Sequence, residues 1–475
     1  NEKLKEILLK EKSVNEESPK ADSPDQAAIQ DYLMTIDPEL KYVPRQRLKE
    51  AYSKTKELEK QQAYKTSGNV QWQGTVSNMG GRVRAIMWDP NDPSMEKVWA
   101  GGVTGGLWFN NDITSAASQW QPVNDFWDNI AVTCIAFDPN NSQILYVGTG
   151  ESFTGASRGA GIWKSTDGGV NWSQLSSTST FFYVNDIVVR NESGTSTVYA
   201  AVDGRFYLGA FHGSAQAGLQ RSTNGGNTWT QVLPDIGTSN INYVAADIEL
   251  GADNRIWIGT DPSPFAGTDR GGGRILFSDN GTTWTTSHSV SVANGNGRVE
   301  LACAPSNANV VYGLVENNRQ LEAVVRTTNK GTSWSNMNEP NDDDNGISAT
   351  DFTRGQATYD LIAAVDPNNA NNIIIGGINL HRSTNGGTSW NQISKWSNNP
   401  GMFGQPYSLV HADQHAITYK PGNSNTVIFG NDGGVYYTNS VSTAASSDVI
   451  AGRKSGYNVT QYYACAINPS ASSDN

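Results

Sequence analysis

The chain is poor in cysteine, with three in 475 residues. Cys134, Cys303 and Cys465 lie far apart and form no CxxC pair, so no zinc knuckle or dithiol redox motif is indicated. An odd count excludes a fully paired set of internal disulfides. Cys134 and Cys303 stand in apolar runs and read as small core residues. Charged residues make up only 17%, and the net charge is −12. That balance lacks the basic stripe that nucleic-acid binding needs, and it disfavours docking on an anionic membrane through charge. No apolar run approaches the ~20 residues that span a bilayer. Long runs of helix-forming residues occur only near the N-terminus.

What is abundant is glycine (48), with 14 Trp and 18 Tyr. Glycine supplies the positive φ of tight turns, and large aromatics suit pleated, half-buried surfaces. Together they predict an all-β protein. The chain opens at Asn1 with no apolar leader, which reads as a mature secreted product whose signal peptide has gone, or as a trimmed chain.

Residues 1–65 differ from the rest. Asn1–Lys20 is dense in Lys and Glu. Ser23-Pro-Asp-Gln26 reads as a helix start, and Arg45–Tyr64 as a second helix with Leu48, Tyr52 and Leu58 on its apolar face. A charged helical N-terminal arm is therefore expected, serving as a solvated extension, a pro-segment or a docking helix.

A different rhythm follows. Five segments share one spacing: Ser165-Thr-Asp-Gly-Gly-Val-Asn-Trp172, Ser222-Thr-Asn-Gly-Gly-Asn-Thr-Trp229, Phe277-Ser-Asp-Asn-Gly-Thr-Thr-Trp284, Thr327-Thr-Asn-Lys-Gly-Thr-Ser-Trp334 and Ser383-Thr-Asn-Gly-Gly-Thr-Ser-Trp390. The anchors Asp167, Asn224, Asp279, Asn329 and Asn385 each precede a Trp by five residues and recur every 50–57 residues. The side-chain oxygen closes the turn, Gly adopts what a Cβ forbids, and Trp172, Trp229, Trp284, Trp334 and Trp390 cover the hairpin. Ahead of the turns, apolar strands end in Asp-Pro and their partners end in Gly, as in Ile86-Met-Trp-Asp-Pro90 with Val98-Trp-Ala-Gly101. Each unit holds about four short strands, the size of a propeller blade. Residues 66–475 thus predict a β-propeller of at least seven blades, approximately 72–122, 123–176, 180–233, 240–287, 296–337, 355–395 and 405–445. Residues 457–475 would begin a further blade or close the ring as a shared strand.

These turns resemble the Asp-box, or BNR, repeats of sialidases, sortilin-type receptors and xyloglucan-cleaving glycoside hydrolases. Trp72-Gln-Gly, Gly80-Gly-Arg-Val-Arg-Ala-Ile86, Val147-Gly-Thr-Gly-Glu151 and Ile162-Trp-Lys-Ser-Thr-Asp-Gly-Gly169 further resemble secreted propellers of Bacteroidetes-type bacteria, often exported by the type IX system. The resemblance implies an extracellular or cell-surface location. The repeats themselves are scaffolding and name no activity.

Chemistry is sought elsewhere. His411-Ala-Asp-Gln-His415 leads into a strand, whose period of two puts His411, Asp413 and His415 on one face. That set would suit zinc, a hydrogen-bonded channel lining, or a ligand site. Asn341-Asp-Asp-Asp-Asn-Gly346 has the front half of a calcium loop, with Phe352 where a Glu is needed. Glu151 and Arg158, then Arg205, Tyr207 and His212, then Asp261, Asp269 and Arg270 lie in Gly-rich insertions suited to a rim. Asp413, Asp432, Asp89 and Glu151 are the carboxylates available to an inverting glycosidase. The Arg-Ile-Pro signature of sialidases is absent. The reading favoured from sequence is a non-catalytic binding and scaffolding propeller that engages a glycan or a protein through its rim. The alternatives are a glycoside hydrolase acting on polysaccharide, and a surface component of secretion or gliding machinery with an outer-membrane partner.

Overall fold

The computed structural model describes residues 80–459, apart from breaks at 125–126, 128–130, 154–157, 208–209 and 345–350, together with scattered residues between 32 and 58. The chain divides into two compact units, Gly74–Thr460 and Asn1–Gln73 with Gln461–Asn475. The first is a propeller of seven four-stranded antiparallel blades. In every blade the four strands are consecutive in sequence. The first strands are Val83–Trp88, Val132–Asp138, Tyr183–Glu192, Val244–Leu250, Val299–Cys303, Ile362–Val365 and Gln414–Tyr419. Each neighbours the next, and the seventh meets the first, closing a ring around a central channel. A short parallel pair, Ser394–Lys395 with Ser408–Leu409, lies in the connection between blades 6 and 7.

Glycines near the strand ends explain how the blades pack. Gly148 lies one residue before the end of Asn141–Thr149, and a Cβ there would sit 2.7 Å from Val184 Cγ1 of the next blade. At Gly430 the added atom would sit 2.8 Å from Val83 Cγ1, across the closure of the ring. Blade-to-blade contact at these points is backbone-close, and any larger residue would push adjacent first strands apart.

The Trp turns stitch blades together. In blade 2, the Asp167 Oδ1 accepts from the Asn171 N–H, the Ser165 Oγ from the Gly169 N–H, and Trp172 Nε1 donates to the Gly169 carbonyl. The Trp172 ring then meets Trp99 of blade 1 edge-on at 6.2 Å. Trp334 of blade 5 meets Trp257 of blade 4 in the same way at 6.1 Å. The third turn corrects one expectation. There Asn280, not Asp279, closes the turn, its Oδ1 accepting from the N–H groups of Thr282 and Thr283. The turn is one residue shorter after its serine, so the next residue takes the role. Asp279 pairs instead with Arg255, at 2.7 Å and 3.0 Å.

Among the described residues no shared strand closes the ring, and most of the expected closing segment, 460–475, lies outside them. Blades 1 and 7 are each complete with four strands of their own. Tyr457 instead inserts its ring between Trp108 and Trp120 of blade 1, 5.4 Å and 5.2 Å away. The Trp120 N–H donates to the Ser455 carbonyl, and Arg453 Nε to the Ile113 carbonyl. Tyr457 to Val459 form no strand, and residues 460–475, with Cys465, lie outside the described residues. The expected helical arm over 1–65 also lies mostly outside them, and those described form no complete helix. Among the described residues no helix is long and apolar enough to cross a membrane. Cys134 and Cys303 are buried free thiols.

Candidate active site

Two kinds of position face the same mouth of the channel: the starts of the first strands, and the turns that follow the second strands. Antiparallel pairing places these ends side by side. Arg82 precedes blade 1, Tyr359 and Asp360 precede blade 6, and Asp413 and His415 open blade 7. Asp432 sits in the turn between Val427–Asn431 and Gly434–Thr438. Arg82, Tyr359, Asp360, Asp413 and Asp432 line one cavity of 550 Å³ there.

The expected one-face arrangement of His411, Asp413 and His415 does not occur. The strand begins only at Gln414, and Asp413 has a left-handed backbone, φ 67°. The pairing also skips a residue between Gln414 and Ala416, so His415 is the extra residue of a bulge. A bulge re-aims its side chain and breaks the two-residue alternation. His415 is thereby buried and aimed at the carboxylates, whereas His411 stays exposed with Nδ1 at its neighbour's carbonyl. Among the described residues no group of three His, Cys, Asp or Glu side chains is arranged to hold a metal ion.

The acidic loop also departs from the calcium expectation. Arg354 Nη2 lies 3.2 Å from Asp342 and 2.9 Å from Asp344, supplying the positive charge a cation would bring. Phe352 is buried against His381.

At the channel mouth, His415 Nε2 lies 2.7 Å from Asp432 Oδ1, and its Nδ1 lies 3.4 Å from Asp360 Oδ1. Arg82 Nε donates to the same Asp432 oxygen at 3.1 Å, and Arg82 Nη1 to the Tyr359 hydroxyl at 3.2 Å. The Tyr359 ring packs edge-on against His415 at 4.6 Å. Asp360 and Asp413 lie near enough for each carboxyl to act on the other's ionisation.

These contacts set protonation. Burial, then the charges of Asp413 and Asp432, push Asp360 up to about 9. Asp413 is raised by the same burial and by Asp432. At Asp432 burial acts upward, but the hydrogen bond from His415 and the Arg82 charge outweigh it, and the group falls below the usual carboxylate range. Burial lowers His415 to about 4, so at neutral pH the imidazole is neutral and its contact with Asp432 is a hydrogen bond, not an ion pair. The N–H belongs on Nε2, because that nitrogen faces an ionised acceptor. One cavity therefore holds a protonated carboxyl and an ionised one.

The remaining rim candidates divide. Glu151 is buried at the same mouth, and its charge acts on Arg82 and Tyr359. Arg158 lies 3.7 Å over the Phe182 ring. Asp261 and Asp203 clamp Arg205, which also donates to the Ser152 carbonyl, so this trio ties three blades together. Asp269 pairs with Arg274, and Arg270 donates to the Ser263 carbonyl and Asn296. Asp89 is buried on the first blade and is held by Lys97 and Trp99 Nε1. The side chains of Tyr207 and His212 lie outside those described. A larger groove of 760 Å³ runs past Met337, Glu339, Asp343, Trp390 and Tyr407 and holds no such opposed pair.

Sequence reading had missed Arg82, Tyr359 and Asp360. One signal was available: Arg82, Arg298, Asp360 and Asp413 all stand just ahead of a blade's first apolar strand, the position that faces the mouth.

No family model matches the chain. Curated relatives match over part of it. A xyloglucanase of Hypocrea jecorina is 30% identical over 155 residues, covering 30% of this chain and 17% of that protein. A xyloglucanase of a Paenibacillus species is 30% identical over 239 residues, covering 45% and 22%. The chain thus matches about a fifth of those relatives' lengths. Among solved structures, the GH74 xyloglucanase of Xanthomonas campestris overlays with a TM-score of 0.54 at 17% identity, over 81% of this chain and 56% of that one. An ancestral GH74 enzyme gives 0.54 and 17%, over 81% and 48%. At these identities the structural likeness carries the propeller fold alone.

Proposed function

We propose that this chain is a glycoside hydrolase that acts on polysaccharide outside the cell, with its acid and base at the channel mouth. The observation that carries the reading is the opposed protonation of Asp360 and Asp432 in one cavity, since carboxyls pushed apart in this way divide the roles of acid and base. Asp360 protonates the leaving glycosidic oxygen. Asp432 takes the proton of the attacking water on its Oδ2, its Oδ1 being engaged by Arg82 and His415. The His415 ring spans the two carboxyls and keeps their nearest oxygens no more than about 8 Å apart, which does not exceed the separation an inverting enzyme uses.

The named relatives support the same class and make xyloglucan the first polysaccharide to assay. The decisive measurement is release of reducing ends from a polysaccharide panel by the native chain and by Asp360→Asn and Asp432→Asn. Cleavage lost in both variants supports the reading; failure of the native chain to cleave any member overturns it.

A second reading, a propeller that binds without cleaving, rests on a different surface. The connection between blades 6 and 7 exposes Trp396, Leu409 and Phe403, the last at 82%. Retention of a glycan or protein there, undiminished by Asp432→Asn, would favour it.

A further inference from the structure

The turn between Val311–Asn317 and Gln320–Thr327 contains an expensive residue. It is a two-residue hairpin turn, Asn318-Arg319, with both backbones left-handed, φ 50° and 70°. Such turns favour Asn then Gly, because a Cβ at the second position is strained. Arg319 occupies that second position. The turn does not need its side chain: the Arg319 N–H donates to Glu316 Oε1, and its carbonyl accepts from the Ala357 N–H. Packing does not repay the strain either, since the residue is exposed. Among the described residues no carboxylate, carbonyl or ring partners its guanidinium.

Other arginines of the propeller are spent within the fold. Arg205 lies between Asp203 and Asp261, and Arg354 between Asp342 and Asp344. Arg298 is engaged by Glu300 and by the Leu361 carbonyl. Arg319 instead lines the cavity of Asp360, Asp413 and Asp432. A strained, unpaired side chain at such a place points to a ligand group.

The rest of the cavity wall suits a sugar ring. Phe153 stands between the guanidinium groups of Arg84 and Arg298, 4.2 Å and 4.7 Å from its centroid, which hold its ring in place. Gln356 and Thr358 add polar side chains beside it. Hydrogen-bonding side chains beside a guanidinium suit a hydroxylated sugar ring, and a small inorganic anion has no need of them. The chain's net charge of −12 opposes an anionic ligand at long range, so acceptance of one must come from local cations.

We propose that the glycan residue held at the channel mouth carries a carboxylate, as a uronic acid does, and that Arg319 recognises that group. A guanidinium meets a carboxylate with two parallel N–H donors, a geometry that a neutral sugar cannot use. The inference rests on the hydrolase reading for the site, and it narrows the substrate to acidic glycans.

The test measures binding and cleavage separately, with an oligogalacturonate and a neutral cello-oligosaccharide as probes. Arg319→Gly is the informative variant, because glycine suits φ 70° and the fold should be kept or strengthened. The native chain is expected to prefer the acidic probe, and Arg319→Gly to lower the acidic-to-neutral affinity ratio by about tenfold or more, as expected for loss of a charge-assisted bond. Equal affinity for both probes, or an unchanged ratio in the variant, overturns the inference. Cleavage of the neutral probe with the acidic one ignored overturns it and leaves the hydrolase reading standing. Acidic binding that Arg319→Gly weakens, with no cleavage of either probe, supports it and leaves the hydrolase reading to the polysaccharide panel. Binding of neither probe overturns it and leaves the hydrolase reading to the polysaccharide panel.

Discussion

The Nε2 of His415 sits 2.7 Å from Oδ1 of Asp432, joining the bulge that opens the last blade to the turn after that blade's second strand. The ring is fully buried, and its other nitrogen faces Asp360. Removing either carboxyl should separate chemistry from stability. Asp432→Asn and Asp360→Asn are each expected to lower turnover by about 10²- to 10⁴-fold, the usual worth of a general acid or base. Circular dichroism should show the fold unchanged. Wild-type turnover in either variant would remove that residue from the mechanism.

The same pair predicts the pH response. Activity should rise on the acid side as Asp432 ionises, below the usual carboxylate range, and fall on the alkaline side near the Asp360 value of about 9. Stability follows from linkage. Asp360 is raised above its ordinary 3.8, so its contribution is full below that value and is lost as pH climbs through about 9. The melting temperature of Asp360→Asn relative to the native chain should therefore increase with pH across that window. His415 is depressed from 6.5 to about 4, so its contribution is present above 6.5 and lost as pH falls through about 4. A His415→Gln variant should lose less stability on acidification. Parallel pH–melting curves for variants and native chain would contradict both assignments.

The third Trp turn offers a sharper comparison. Asn280→Ala removes the acceptor of two backbone N–H groups and should cost about 1 kcal/mol, as loss of a side-chain cap does. Asp279→Ala removes an ion pair whose carboxylate is 67% exposed, and should cost less than Asn280→Ala, since such pairs contribute about 0–1 kcal/mol. Urea denaturation of the two variants decides the order; a larger loss for Asp279→Ala would return the anchor role to that residue.

Ring closure should depend on one aromatic. Tyr457→Ala empties the space between Trp108 and Trp120, and a loss of about 3–5 kcal/mol is expected for a fully buried ring. Tyr457→Phe should cost little, because the hydroxyl has no partner among the described residues. If Tyr457→Ala melts with the native chain, closure resides elsewhere.

The blade architecture was legible because its determinants are local and repeated. A Ser or Thr, an amide or carboxylate two residues on, a glycine and a tryptophan close a turn with bonds inside eight residues. Five copies at regular spacing then imply sheets arranged around an axis. Where the local rule changed by one residue, at Asp279 and Asn280, spacing counted from the tryptophan picked the wrong acceptor. The bulge at His415 was hidden for a related reason. A bulge depends on pairing with Gly430 and Asn431, which no pattern within residues 411–415 reports.

Sequence alone thus determined the all-β class, the four-stranded repeat and the scaffolding role of the Trp turns, since each follows from bonds between residues close in the chain. It also singled out Asp413, His415 and Asp432. Only the tertiary structure decided that Asp360 and Arg82 join them and that Arg354 takes a cation's place beside Asp342 and Asp344. It also decided that two carboxyls in one cavity hold opposite charge states. Closing a ring brings residue 82 against residue 432 and shuts both away from water, and protonation is set by that neighbourhood and burial, not by residue type.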